Sequence, residues 1–187
     1  AYNNLGTIYE REGNYEKAVS VYRSGLLVDE NNPTLHYNLG IALEAQNKIT
    51  EAEKEFRRAL EQKPAWISAL NNLGIVLEKQ QKYPKAIQNF KKIISLDKKN
   101  REARNNLALV NTKQGKTQEA IAYYKEALEY SPDYGKAALN FQHVMEQSGT
   151  PEQSIPFLRK AIEYAPDNFE LRYRLGKTLE RVGKHDQ

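Results

Sequence analysis

An asparagine returns at a fixed interval along this sequence: Asn4, Asn38, Asn72, Asn106 and Asn140, with Arg174 in the sixth place. A carboxamide carries both a carbonyl acceptor and an NH2 donor, so one such side chain can hold the N–H and the C=O of a peptide unit together. It does this whatever side chains the peptide bears. Packed helices lie about 8–10 Å apart, and three residues of extended chain span roughly 10 Å. One asparagine per helix pair therefore suits an extended segment gripped at about every third residue. Neighbouring residues widen the candidate surface. Tyr37, Ile41, Ile75, Leu109 and His143 offer apolar or amphipathic contact, and Asn71, Asn105, Lys79, Lys113 and Lys136 offer polar and basic contact. The same asparagines also suit a second role, packing between repeats.

Other chemistry is thin. The three histidines, His36, His143 and His185, are far apart and lack the i, i+4 spacing of a helical metal pair. His36 is expected to pack, and His143 to face a ligand. There is no cysteine, and no phosphate loop, serine elbow or metal motif. Carboxylates are scattered beside lysines, as solvated i, i+4 pairs would be. The segment is thus expected to be no enzyme and to need no cofactor. Nine basic residues between Lys79 and Arg104 face only Asp97 and Glu102, a local surplus of +7. They fall on several helix faces and a turn, which suits a solvated surface better than nucleic-acid binding. The whole chain carries +4 with a pI near 9.0, a weak pull toward acidic partners. Its mean hydropathy is −0.78 and no apolar run reaches 18 residues, so no membrane span is expected and the cytoplasm is the expected compartment.

The elements that position these residues follow from the period. Leucine or phenylalanine recurs at Leu5, Leu39, Leu73, Leu107, Phe141 and Leu175, each step 34 residues with no insertion. A small column follows, Gly6, Gly40, Gly74 and Ala108, with Gln142 breaking it before Gly176. Two further columns sit half a repeat later, Ala18, Ala52, Ala86, Ala120, Ser154 and Tyr22, Phe56, Phe90, Tyr124, Leu158. Within a unit the apolar spacing is helical: Leu35, Leu39, Ala42 and Leu43 share one face, and Ala52, Phe56, Ala59 and Leu60 another after a break. The breaks, such as "REGNY" and "KQGKT", carry glycine and cap residues. Each unit is two antiparallel helices. The predicted spans are 1–13, 15–29, 33–46, 49–62, 67–80, 83–96, 101–114, 117–130, 135–148, 151–164 and 169–183.

These columns resemble the tetratricopeptide repeat over essentially the whole chain. The RNA-reading pentatricopeptide repeat has a different period. The resemblance implies an all-α, right-handed superhelical solenoid whose first helices line a concave groove. It divides the chain as a single array of units near 1–32, 33–66, 67–100, 101–134 and 135–168, with a partial unit at 169–187 and both ends truncated. The fifth unit is irregular. Thr150-Pro151-Glu152-Gln153 reads as a capping box, and Pro156 inside the same helix predicts a bend or looser packing. Without a capping helix, helix 169–183 is expected to expose a stripe of Leu171, Leu175 and Leu179 through which molecules stack end to end.

The asparagine column is similar to the ladder in the repeat region of O-linked N-acetylglucosamine transferases, which implies a hold on peptide backbones. The carboxylate clamp of cochaperone repeat domains is only partly matched: Asn106 and Lys136 fit, but Asn71, Ile75 and Asn140 stand where a lysine, an asparagine and an arginine are wanted. The expected function is a scaffold that binds a protein or peptide segment in its groove. The alternative is a substrate-presenting arm of a larger enzyme such as a glycosyltransferase.

Overall fold

A computed structural model describes residues 1–183. Among them stand eleven α-helices and no strand: α1 (Tyr2–Arg11), α2 (Tyr15–Val28), α3 (Pro33–Ala45), α4 (Ile49–Gln62), α5 (Ile67–Lys79), α6 (Tyr83–Leu96), α7 (Arg101–Lys113), α8 (Thr117–Tyr130), α9 (Gly135–Gln147), α10 (Ile155–Tyr164) and α11 (Phe169–Arg181). A 3₁₀ turn, Pro151–Ser154, precedes α10. The helices form the antiparallel pairs of a repeat solenoid, each bound falling within about two residues of its prediction except at α10. They gather into two compact units, residues 1–96 and 97–187.

In the first unit α1 pairs with α2, α3 with α4 and α5 with α6, and each pair packs on the next. The small column sets the pair distance. A Cβ added at Gly40 would sit 2.7 Å from the Phe56 ring, and one at Gly74 would sit 2.5 Å from the Phe90 ring. Tyr22 lies against Gly6 in the same way, so each aromatic ring fills a notch cut in the facing helix. Asn32 caps α3 by accepting from the N–H groups of Thr34 and Leu35. The α3–α4 and α5–α6 turns put Asn47 and Gln81 at φ +60° and +59°, the left-handed region that Gly115 occupies in the second unit.

The second unit contains α7 to α11, with its core on Tyr124, Leu128, Phe141, Met145, Leu158 and Leu171. Here the notch is filled differently. Ala108 stands in the small column of the helix paired with Tyr124, while the fifth pair holds buried Gln142 and buried Leu158. The bulk has moved from one helix to the other.

The fifth repeat is irregular as expected, a 3₁₀ turn standing in place of the first turn of its second helix, and the proline is the cause. Pro156 has no N–H for the carbonyl of Glu152, so the N–H of Ile155 takes that carbonyl in a 3₁₀ pattern and the α-helix starts only at Ile155. Two expectations need correction. The packing is not loose: Pro151 and Ser154 are buried, and Phe157 meets Phe141 edge-on at 5.1 Å. Nor does Thr150 form a capping box. Its hydroxyl faces the Met145 sulfur and makes no cap bond, because the chain enters a 3₁₀ turn.

The expected stripe on α11 is also corrected. Leu171 is fully buried, Leu179 is nearly so and Leu175 is half-buried, since these residues face α9 and α10. The open face carries Phe169 and Tyr173, stacked at 6.0 Å and exposed, together with Gly176, whose Cβ position has nothing within 4 Å.

Candidate functional site

In the first unit the candidate residues stand on α3 and α5, and Asn38, Asn72 and Lys79 bond sideways to the previous repeat. Asn38 Nδ2 donates to Asn3 Oδ1. Asn72 Nδ2 donates to the Tyr37 hydroxyl at 3.3 Å, and Lys79 Nζ donates to Glu44 Oε1 at 2.7 Å. Ile41, Ile75 and Asn71 are half-buried on the same helices. Burial pushes the Tyr37 hydroxyl above its ordinary value, against the opposing pull of Ser68 and Asn72, so it stays protonated. Its ring lies 4.4 Å from that of Trp66, and Lys63 Nζ lies 5.1 Å from the Trp66 ring centre. Trp66 is a neighbour of the candidate residues that the sequence reading missed.

In the second unit Asn140 Nδ2 donates to Asn105 Oδ1 at 2.9 Å, and Asn105 Nδ2 donates to Asn106 Oδ1 at 3.3 Å. Asn105 is completely buried. It is corrected from a groove contact to a strut between helices, because its Oδ1 and its Nδ2 are both engaged by neighbouring asparagines. Leu109, Asn140, His143 and Arg174 do come together. With Leu139 and Gln142 they line a pocket of about 220 Å³ formed by α7, α8, α9 and α11. His143 Nε2 accepts from Gln147 Nε2 at 3.0 Å. Arg174 Nε donates to Glu170 Oε1 at 2.7 Å, and that hydrogen bond raises its pKa further. Lys136 lies exposed on the first turn of α9, away from the pocket lining, and Lys113 is exposed on α7. His185 lies outside the described residues.

One offset explains these bonds. The partner of each asparagine stands 35 residues earlier, one place before the 34-residue column: Asn3, Tyr37 and Asn105. Comparing that neighbouring column would have found the pairs from sequence. The side chains therefore serve the repeat stack first. Each amide still has a second N–H and a carbonyl lone pair beyond the bond it gives.

Four of the nine basic residues between Lys79 and Arg104 pair with local carboxylates. Besides Lys79, Lys82 bonds Glu53 at 2.8 Å in the first unit. Burial alone would raise the Glu53 carboxyl, but Lys82 and Arg57 outweigh it and hold the group below the usual range. In the second unit Arg101 pairs with Asp133. Arg104 is buried rather than solvated: it reaches Glu126 and the Asn100 carbonyl and lies 4.5 Å over the Tyr130 ring. Among the described residues no group of His, Asp or Glu is arranged to hold a metal, and no helix is long and apolar enough to cross a membrane.

Comparison with known families agrees with the repeat geometry. A family model described as tetratricopeptide repeat matches residues 32–99 and again 67–133, and a second, described as TPR repeat, matches 6–47. The chain belongs to the tetratricopeptide-repeat family. Solved structures of similar fold include MamA from Desulfovibrio magneticus RS-1, with a TM-score of 0.78 at 20% identity over 90% of this chain and 95% of that one. Another is pilF of Pseudomonas aeruginosa, with a TM-score of 0.78 at 24% identity over 99% of this chain and 86% of that one. A third is YrrB, described as a TPR protein with an unusual peptide-binding site, with a TM-score of 0.68 at 23% identity over 92% and 89%. A curated relative, a protein O-mannosyl-transferase of Caenorhabditis elegans, is 34% identical over 62 residues, which are 33% of this chain. The matched segment spans 9% of that relative's length.

Proposed function

We propose that this tetratricopeptide-repeat chain is a cytoplasmic protein-interaction scaffold whose first helices bind an extended or helical segment of a partner. The observation that carries the reading is the fixed amide on first helices of the repeats, Asn38 and Asn72 in the first unit and Asn140 in the second. Asn38, Asn72 and Asn140 each give one N–H to the preceding repeat, which fixes the carboxamide in place. A fixed amide loses less rotamer entropy when it grips a ligand than a free one does. Backbone recognition of this kind tolerates many side chains, and flanking pockets such as that of Leu109, His143 and Arg174 would add selectivity. The described likeness to YrrB supports a peptide as the ligand class.

The test pans a random peptide display library on the intact chain and on Asn38→Ala/Asn72→Ala. Selected peptides should bind the double variant at least about tenfold more weakly, one lost hydrogen bond being worth about 1 kcal/mol. Thermal melts separate this from unfolding, since the same amides join repeats. Equal binding by a folded double variant would leave the asparagines as struts alone.

The second reading, a substrate-presenting arm of a larger enzyme, is favoured by the similarity to part of a protein O-mannosyl-transferase. On that reading binding belongs to this segment and catalysis to another. The reading frame around these residues decides it.

A further inference from the structure

The pocket of the second unit contains an acceptor that the repeat pattern does not call for. Gln142 replaces the small residue of the column and is 1% exposed. Its Nε2 donates to Thr178 Oγ1 at 3.3 Å. The Thr178 hydroxyl spends its own proton on the Arg174 carbonyl at 2.8 Å, so toward Gln142 it can only accept. That fixes the amide orientation: NH2 toward α11, carbonyl oxygen away from it. Gln142 Oε1 is buried and has no hydrogen-bond partner. A buried carbonyl left unpaired is costly, so the arrangement favours a donor brought from outside.

The rest of the pocket says which donor. Leu109, Leu139 and Val144 give apolar walls. Glu170 lines the pocket beside Arg174, and Glu146 also faces Arg174, so two carboxylates meet one guanidinium. Glu170 and Arg174 balance within the lining, and Glu146 adds a second carboxylate that acts on the same guanidinium. Arg174 pairs with Glu170 at 2.7 Å, and that pair is roughly half exposed, so a second cation can share or take the carboxylate.

We infer that this pocket binds a basic side chain, lysine or arginine, of the bound polypeptide: the stem runs along Leu109, Leu139 and Val144, and the cationic head bonds Gln142 Oε1 and Glu170. The inference rests on the groove reading above and adds the residue class selected at one position.

The experiment follows side-chain amide and backbone resonances of the intact chain by NMR during titration with three probes. They are N-acetyl-lysine N-methylamide, its uncharged counterpart N-acetyl-norleucine N-methylamide, and N-acetyl-glutamate N-methylamide. The lysine probe should shift the Gln142 side-chain NH2 and the Asn140 and Thr178 signals saturably. The norleucine probe should bind at least about tenfold more weakly, having no charged donor for the two acceptors. Glu170→Gln, a change at an exposed position, and Gln142→Leu should each weaken the lysine probe at least about fivefold. Equal binding of norleucine would make the pocket merely apolar, and preference for glutamate would make Arg174 an anion site; either overturns the inference. So does the absence of any shift, with Gln142 then bonded to water only. None of these results bears on Asn38 and Asn72, whose double variant tests the groove reading separately.

Discussion

Asn38 and Asn72 show how one residue type can serve architecture and recognition at once. The N–H given to Asn3 or Tyr37 is no longer available to a ligand, yet it aims what remains of the amide. The glycines beside them have a single job. Gly74 leaves the space that the Phe90 ring fills, whereas the fifth pair has buried Gln142 and buried Leu158 in the two corresponding columns. Transplanting that solution gives a prediction. Gly74→Gln alone should destabilise the first unit by about 3 kcal/mol through overpacking. Phe90→Leu alone should cost about 1 kcal/mol of lost burial. The double variant should cost at least about 1 kcal/mol less than the two together, measured as a double-mutant cycle in urea. Strict additivity would show that ring and notch are not coupled. At this scale the sequence reading recognised the small column and the asparagine column. It missed Trp66 and the burial of Asn105, because contacts between repeats depend on which residues face each other across helices, and one column read alone does not contain that.

At the scale of elements, the turns between paired helices are where sequence and backbone disagree. Gly115 meets its φ of +72° without a steric penalty, whereas Gln81 holds φ +59° with a full side chain. Gln81→Gly should raise stability by up to about 1 kcal/mol, the relief of the left-handed strain exceeding the added chain entropy. Asn47→Gly should change it by only a few tenths, because asparagine already tolerates that region. Thermal melts of the two variants compare them directly; a larger gain at Asn47 would contradict the strain argument. The break at Pro156 was legible because a missing N–H is a property of the residue itself. That the Ile155 N–H would take the Glu152 carbonyl and keep the turn buried was not legible, since it depends on how Pro151 and Ser154 pack. The α11 stripe failed for a related reason: helical spacing identifies an apolar face but not which neighbour covers it.

For the whole molecule, the 34-residue period carried nearly all of the fold, because every repeat states the same pattern and chance departures average out. Both compact units share one chemical vulnerability. Burial pushes the hydroxyl of Tyr22 in the first unit, and of Tyr124 in the second, up to about 12. Unfolded tyrosine ionises near 10. The contribution of these groups is therefore complete below about pH 10 and is lost as the pH rises toward about 12. Tyrosinate absorbance should show these two of the 12 tyrosines ionising last and together with loss of helical circular dichroism. Tyr22→Phe should shift that loss to higher pH for the first unit, and an unshifted transition would remove Tyr22 as its cause. The contact between Trp66 and Tyr37 has a further use. As the only tryptophan in the chain, Trp66 makes intrinsic emission a reporter of a single place. Its ring touches the tyrosine that accepts from Asn72, so a peptide displacing that hydrogen bond alters the surroundings of one fluorophore without any label attached.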